Sequence, residues 1–303
     1  MGIVWPIESE ARMSSAPTRL CVTCKSELAS SVNFCPSCGT PVTQTSSRFF
    51  RFQSRWFILF LIVSGVVGVF AGSIGLVASQ LVLASWILLV MLRARLSPRS
   101  LVGSVPPRYN WWPIIFMAIG LIFYSLGAIA VLAYPIAKLD SELVTELIWE
   151  SPSESRLSFL ISGVVLAPLI EETIFRGLLF GRLTEKWGMI RGMIGSSLIF
   201  GLLHFDPIGA FVFGMVACVL YVKTRTLLVP MILHSLYNFL VLGWASLEQQ
   251  PDIAFTSPDF WSQLVFEGLV FMLIGAPIVF GLMGRWWPAA GTKLPYETAK
   301  AIA

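Results

Sequence analysis

The chain has 303 residues, of which 56% are hydrophobic and only 13% charged, with a mean hydropathy of +0.77. A soluble domain would carry charge on about a quarter of its residues, so the composition excludes an ordinary soluble enzyme and indicates a membrane protein. The net charge of +4 does not imply a nucleic-acid partner, because Lys and Arg sit mostly in short stretches between apolar blocks, where they set topology.

Residues 1–47 form a polar unit rich in Ser, Thr and Pro. It lacks an apolar core followed by a small-residue cleavage site, so no removable signal peptide is expected. Four of the five cysteines lie within it, as the knuckles Cys21-Val22-Thr23-Cys24 and Cys35-Pro36-Ser37-Cys38-Gly39, ten residues apart. Four thiolates at that spacing can close a tetrahedral zinc site, and a minimal zinc ribbon is predicted over about 19–42. Disulfides are the alternative. The flanking Arg48, Arg51 and Arg55 place the segment in the cytoplasm, where disulfides rarely persist. With all four positions filled, the zinc would be structural and the ribbon a docking module for a protein partner. Lys25 stands where a Gly would commonly ease the first knuckle's turn. Cys218, alone in an apolar stretch, reads as a small buried hydrophobe.

After the basic cluster the apolar block Trp56–Leu92 is too long for one crossing of roughly 20 residues. Gly72-Ser73-Ile74-Gly75 in its middle predicts a hairpin of two spans. Further blocks follow at Trp111–Tyr134, Leu157–Phe180, Gly192–Phe205, Ile208–Val222, Leu227–Leu247 and Trp261–Met283. The expected fold is an all-α polytopic membrane protein with about eight transmembrane helices, plus the small four-cysteine zinc ribbon. Its predicted organisation is 1–47 cytoplasmic, 48–110 the first two helices and a basic loop, 111–288 the membrane core, and 289–303 a cytoplasmic tail.

Loop charges give the orientation. Arg93, Arg95, Arg99 and Arg108 are inside; Asp140, Glu142, Glu146, Glu150 and Glu154 are outside; Arg182, Lys186 and Arg191 are inside again. Asp206 marks an external turn, Lys223 and Arg225 an internal one, and Glu248, Asp252 and Asp259 an external one, before Arg285, Lys293 and Lys300. Both termini are expected in the cytoplasm, in the cell membrane.

Ionisable groups within spans cost about 2.5–3.5 kcal/mol each on insertion scales, so those present need a reason. In Leu169-Ile170-Glu171-Glu172-Thr173-Ile174-Phe175-Arg176, Glu172 and Arg176 are four apart and can pair. Glu171 lies about 100° around the helix and stays available as a base. Pro168 can loosen this helix and admit water. His204 closes the next span, and two spans later His234 and Asn238 share a helical face. At about 1.5 Å per residue from the inner basic residues, Glu171 and His204 lie roughly 20 Å deep and His234 and Asn238 roughly 12–18 Å. A lone His or Asn in a span is often glue between helices. That both histidines of the chain fall at one depth with two carboxylates favours a shared cavity.

With these residues the chain resembles the CPBP intramembrane protease family, the type II CAAX prenyl endopeptidases and bacteriocin-processing or bacteriocin-immunity (Abi) proteins. The family pattern of Glu-Glu-x3-Arg, Phe-x3-His and His-x3-Asn is met by Glu171-Glu172…Arg176, Phe200…His204 and His234…Asn238, over roughly Leu157–Leu247. The resemblance implies a helical membrane endopeptidase acting on a peptide or protein substrate. It makes Glu171 the base that activates water and has His204 hold that water. His234 and Asn238 would stabilise the oxyanion, with Glu172, Arg176 and Phe200 in support. Glu171, His204 and His234 could instead hold a catalytic zinc, but the His-Glu-x2-His helix of metallopeptidases is absent, and a metal-independent glutamate mechanism is expected. The rival from another class is a non-catalytic scaffold or immunity factor whose polar residues only pack helices.

Overall fold

The computed structural model describes residues 19–20, 24–28, 37, 54–71, 74–94, 102–103, 105, 108–140, 143–144, 160–247, 258–289, 291–292 and 294–295. The chain divides into two compact units, Met1–Ser47 and Arg48–Ala303.

In the first unit β1 (Arg19–Leu20) pairs antiparallel with β2 (Glu27–Leu28), Arg19 opposite Leu28 and Leu20 opposite Glu27. The turn between them holds Cys24, whose Sγ is 3.0 Å from Ser26 Oγ, and Lys25 at φ 61°. That left-handed conformation is the one glycine adopts without a Cβ penalty, so Lys25 takes the turn that the knuckle spacing asks of a glycine. Cys21, Cys35 and Cys38 lie outside the described residues.

The second unit is helical. The block Trp56–Leu92 divides into α1 (Ser54–Phe70) and α2 (Gly75–Ala94), and a Cβ at Gly75 would strike the Gly68 carbonyl, so glycine lets the two meet. Next come α3 (Trp112–Ala137), then α4 over residues 162–187, and α5 (Met189–Leu202). The chain ends its helical part with α6 (Pro207–Thr224), α7 (Leu228–Leu247) and α8 (Pro258–Trp286). Among the described residues four helices are long and apolar enough to cross a membrane: Gly75–Arg93, Trp112–Ala137, Pro207–Thr224 and Phe260–Trp286. Trp56–Phe70, Met189–Leu202 and Leu228–Leu242 are apolar but shorter.

Connections near the site are tight. Gly188 at φ 85° joins α4 to α5 in one residue, and Asp206 caps α6, its Oδ1 accepting from Gly209 N at 2.9 Å. Outward faces remain apolar, as in Leu81 and Leu88 on α2 and Phe266 and Leu273 on α8, which suits lipid rather than water.

The helix carrying Glu171 departs from the plain rod that its sequence suggests. α4 begins with a π turn, Ser162–Leu166, continues as α-helix over Ala167–Glu172, opens again into a π stretch, Thr173–Leu179, and closes as α-helix over Phe180–Trp187. Pro168 accounts for the first opening. It has no N–H, and its ring crowds the carbonyl four residues back, so the turn widens and Ala167 N–H reaches Ser162 O.

Candidate active site

Three helices bring the polar residues together. Glu171, Glu172 and Arg176 come from α4, Phe200 from the last turn of α5, His204 from the turn just after it, and His234 and Asn238 from α7.

Glu172 is the anchored carboxylate. Its Oε1 accepts from Arg176 Nη1 at 2.9 Å and from His234 Nδ1 at 2.9 Å. Side-chain exposure is 0% for Glu172 and 1% for Arg176, so charge is buried only because it is paired. The guanidinium also lies 4.3 Å from the Phe200 ring centre and 5.6 Å from that of Phe213, a contact strengthened by the absence of water.

Glu171 is the available one. Its Oε2 stands 3.6 Å from His204 Nε2 and 3.9 Å from His234 Nε2, and its side chain is 26% exposed beside 33% for His204. The two carboxylates meet different groups: Glu172 pairs with Arg176 and His234 Nδ1, and Glu171 faces His204 Nε2 and His234 Nε2.

The hydrogen bonds fix how each imidazole presents itself. His204 Nδ1 lies 2.7 Å from Phe200 O. A carbonyl only accepts, so that nitrogen donates, and Nε2 of the neutral ring is a lone pair turned to Glu171. His234 Nδ1 likewise donates to the Glu172 carboxylate, turning Nε2 to Glu171. Phe200 therefore holds His204 twice, by its carbonyl and by its ring, whose centre is 4.1 Å from the imidazole.

Asn238 is placed differently from the others. Its amide Nδ2 donates to Gly163 O at 2.7 Å, tying α7 to the first π turn of α4, and one amide hydrogen remains. Two neighbours have no counterpart in the sequence reading. Phe213 packs on His234, centroids 4.7 Å apart, but one Phe in an apolar span carries no signal. Gln80 on α2 donates to Ser162 O at 3.1 Å, and a polar amide amid Gly75–Ala94 was a legible sign.

A metal held by Glu171, His204 and His234 would put its ligands at about 2.0–2.1 Å, hence roughly 3.4 Å from one another in a tetrahedral site. The separations here are 3.6 and 3.9 Å, and among the described residues no group of three such side chains is drawn together closely enough for a metal. The donor types suit zinc; this spacing is a little wide.

A helical membrane protein with a buried carboxylate–imidazole site is thus the class that fold and site define. The sequence profile of the family "Type II CAAX prenyl endopeptidase Rce1-like" matches residues 153–240, a stretch enclosing all seven of these site residues. The membrane-embedded CAAX protease MroQ of Staphylococcus aureus (strain USA300) is 30% identical over 175 residues, 54% of this chain and 69% of that one. YdiL, a candidate membrane peptidase of Bacillus subtilis (strain 168), is 30% identical over 135 residues, 43% of this chain. The chain spans 54% of the length of YdiL. No solved structure matches it. This chain belongs to the Rce1-like type II CAAX prenyl endopeptidase family.

Proposed function

We propose that the chain is an intramembrane endopeptidase in which Glu171 activates water against a peptide carbonyl. The observation that carries this reading is the single carboxylate, Glu171, faced by two imidazole Nε2 atoms at 3.6 and 3.9 Å while its neighbour Glu172 is tied up. Water donates one hydrogen to Glu171 Oε2 and the other to His204 Nε2, which leaves its oxygen lone pair free to attack. As the C–O bond forms, Glu171 takes a proton from the water and passes it to the nitrogen as the C–N bond breaks, so one peptide bond and one water become a carboxylic acid and an amine. His234 can donate to the oxyanion only as the imidazolium, since its Nδ1 proton is committed to Glu172. The second amide hydrogen of Asn238 joins it. Glu172, Arg176 and Phe200 hold the two rings.

The substrate is a peptide or protein segment lying at the bilayer. The names of the relatives, a membrane peptidase and a CAAX protease, support that class. The eight helical rods among the described residues (four long enough to cross, three shorter, and α4) would span the cell membrane with both termini in the cytoplasm, as the loop charges favour. Cys21, Cys24, Cys35 and Cys38 would hold a structural zinc; the two Cys-x2-Cys spacings and the left-handed turn at Lys25 support it. The ribbon would recruit a protein partner.

The test compares the membrane proteome of cells carrying the native chain with that of cells carrying Glu171→Gln, alongside melting of both proteins in detergent. Uncleaved precursors should accumulate with Glu171→Gln at unchanged melting temperature. Identical processing would leave the scaffold or immunity-factor reading. Chelated enzyme regaining activity specifically with zinc would replace the water mechanism by a metal one.

A further inference from the structure

Pro168 creates a problem that the chain solves from outside α4. In the π register each N–H reaches the carbonyl five residues back, as Ala167 does to Ser162. The next carbonyl, Gly163 O, would be served by the N–H of residue 168, and proline has none. In lipid an unserved carbonyl is costly. Asn238 Nδ2 supplies the missing donor at 2.7 Å. It reaches because residue 163 is a glycine: a Cβ there would run into Leu242 Cδ1 on α7. One residue back, Ser162 O receives a second donor, Gln80 Nε2 from α2, at 3.1 Å. The open turn is thus gripped by amides from two helices on adjacent carbonyls.

Its shape matters for Glu171. A π turn holds one residue more than an α turn, and each α-helical residue advances about 100°. Closing the turn at Ser162–Leu166 to α geometry would swing everything beyond it by about that angle. Pro168–Glu172 follow directly in one short rigid piece, so Glu171 would turn away from His204 and His234.

We propose that Gln80 is a positioning residue of the peptidase site, acting on Glu171 by bonding the Ser162 carbonyl and keeping the first π turn of α4 open. Gln80 lies outside the family-matched residues 153–240 and touches none of the reacting groups. Its amide is a polar group in an apolar helix, α2, that is itself fastened to α1 through Ser64 Oγ donating to Ser79 O at 3.0 Å. Gln80 therefore pulls on α4 from a braced hairpin. The inference rests on the peptidase reading above.

The test uses the full chain in detergent with a peptide cleaved by the native protein, and compares Gln80→Met, Gln80→Glu and Gln80→His. Met matches the length of Gln without a donor; ionised Glu presents only acceptors to a carbonyl. His carries a ring N–H as many bonds from the backbone as the Gln amide nitrogen. With kcat counted per folded molecule, Gln80→Met should lose roughly tenfold in kcat with KM little changed, because a turn closed in most molecules leaves only a minority with Glu171 facing the imidazoles and acts on the chemical step. Gln80→Glu should lose more, and Gln80→His should keep most of kcat. A role in packing alone predicts the reverse order, Met tolerated and His not, and would overturn the proposal, as would native kcat in Gln80→Met. Should the native protein cleave nothing, it is the peptidase reading that fails; native cleavage with indifferent Gln80 variants defeats only the positioning role.

Discussion

Glu172 Oε1 sits 2.9 Å from both Arg176 Nη1 and His234 Nδ1, out of reach of solvent. Neutralising it leaves a guanidinium buried without its counter-charge, a loss of about 3–5 kcal/mol for pairs of this kind. Glu172→Gln should therefore melt well below the native protein in detergent. Glu171 meets its two imidazoles only at 3.6 and 3.9 Å and is part-exposed, so Glu171→Gln should melt at the native temperature. Its peptide cleavage should fall by about 10²–10⁴-fold, the usual contribution of a general base. Melting curves and cleavage rates measured on the same two preparations separate the roles. Equal melting loss in both would make Glu171 a packing residue.

Between helices, α3 and α8 meet backbone to backbone. A Cβ at Gly127 would strike the Gly268 carbonyl and stand 2.7 Å from Met272 Cβ, so neither backbone can yield without shifting the other. Gly127→Ala should destabilise by about 1–3 kcal/mol, as overpacking does, while kcat per folded molecule stays native, because no site residue sits on either helix. Loss of kcat in properly folded Gly127→Ala would mean that α3 and α8 tune the site. Such elements were legible in the sequence to the extent that lipid imposes them: apolar blocks ended where loops carry charge, and Gly72–Gly75 marked the break between α1 and α2. Glu171, His204 and His234 stood out for the same reason, as ionisable groups where they are expensive. The π turns did not, since one additional residue in a uniformly apolar helix leaves no trace in its periodicity. Pro168 marked the weakness in α4 without saying that the helix would widen there and be held by Asn238 and Gln80. Asn238 read as a face-mate of His234, and only the structure gives its amide to Gly163 O.

For the whole molecule, two metal questions can be decided by one count. The proposed thiolate site lies in Met1–Ser47 and the carboxylate–imidazole site within Arg48–Ala303, with no residue in common, so their zinc contents should respond to different substitutions. Four thiolates bind zinc as a closed site, whereas the mechanism proposed for Glu171, His204 and His234 works through water without a metal. The purified chain should then contain one zinc, lost in Cys24→Ser, and zinc-free Cys24→Ser should still cleave peptide at the native rate. Metal analysis and cleavage on one preparation check both halves. A second zinc that survives Cys24→Ser and disappears with both activity and His204→Ala would place a metal between Glu171 and the imidazoles. In that case the Nδ1 bonds to Phe200 O and Glu172 would serve to orient metal ligands rather than to hold a water.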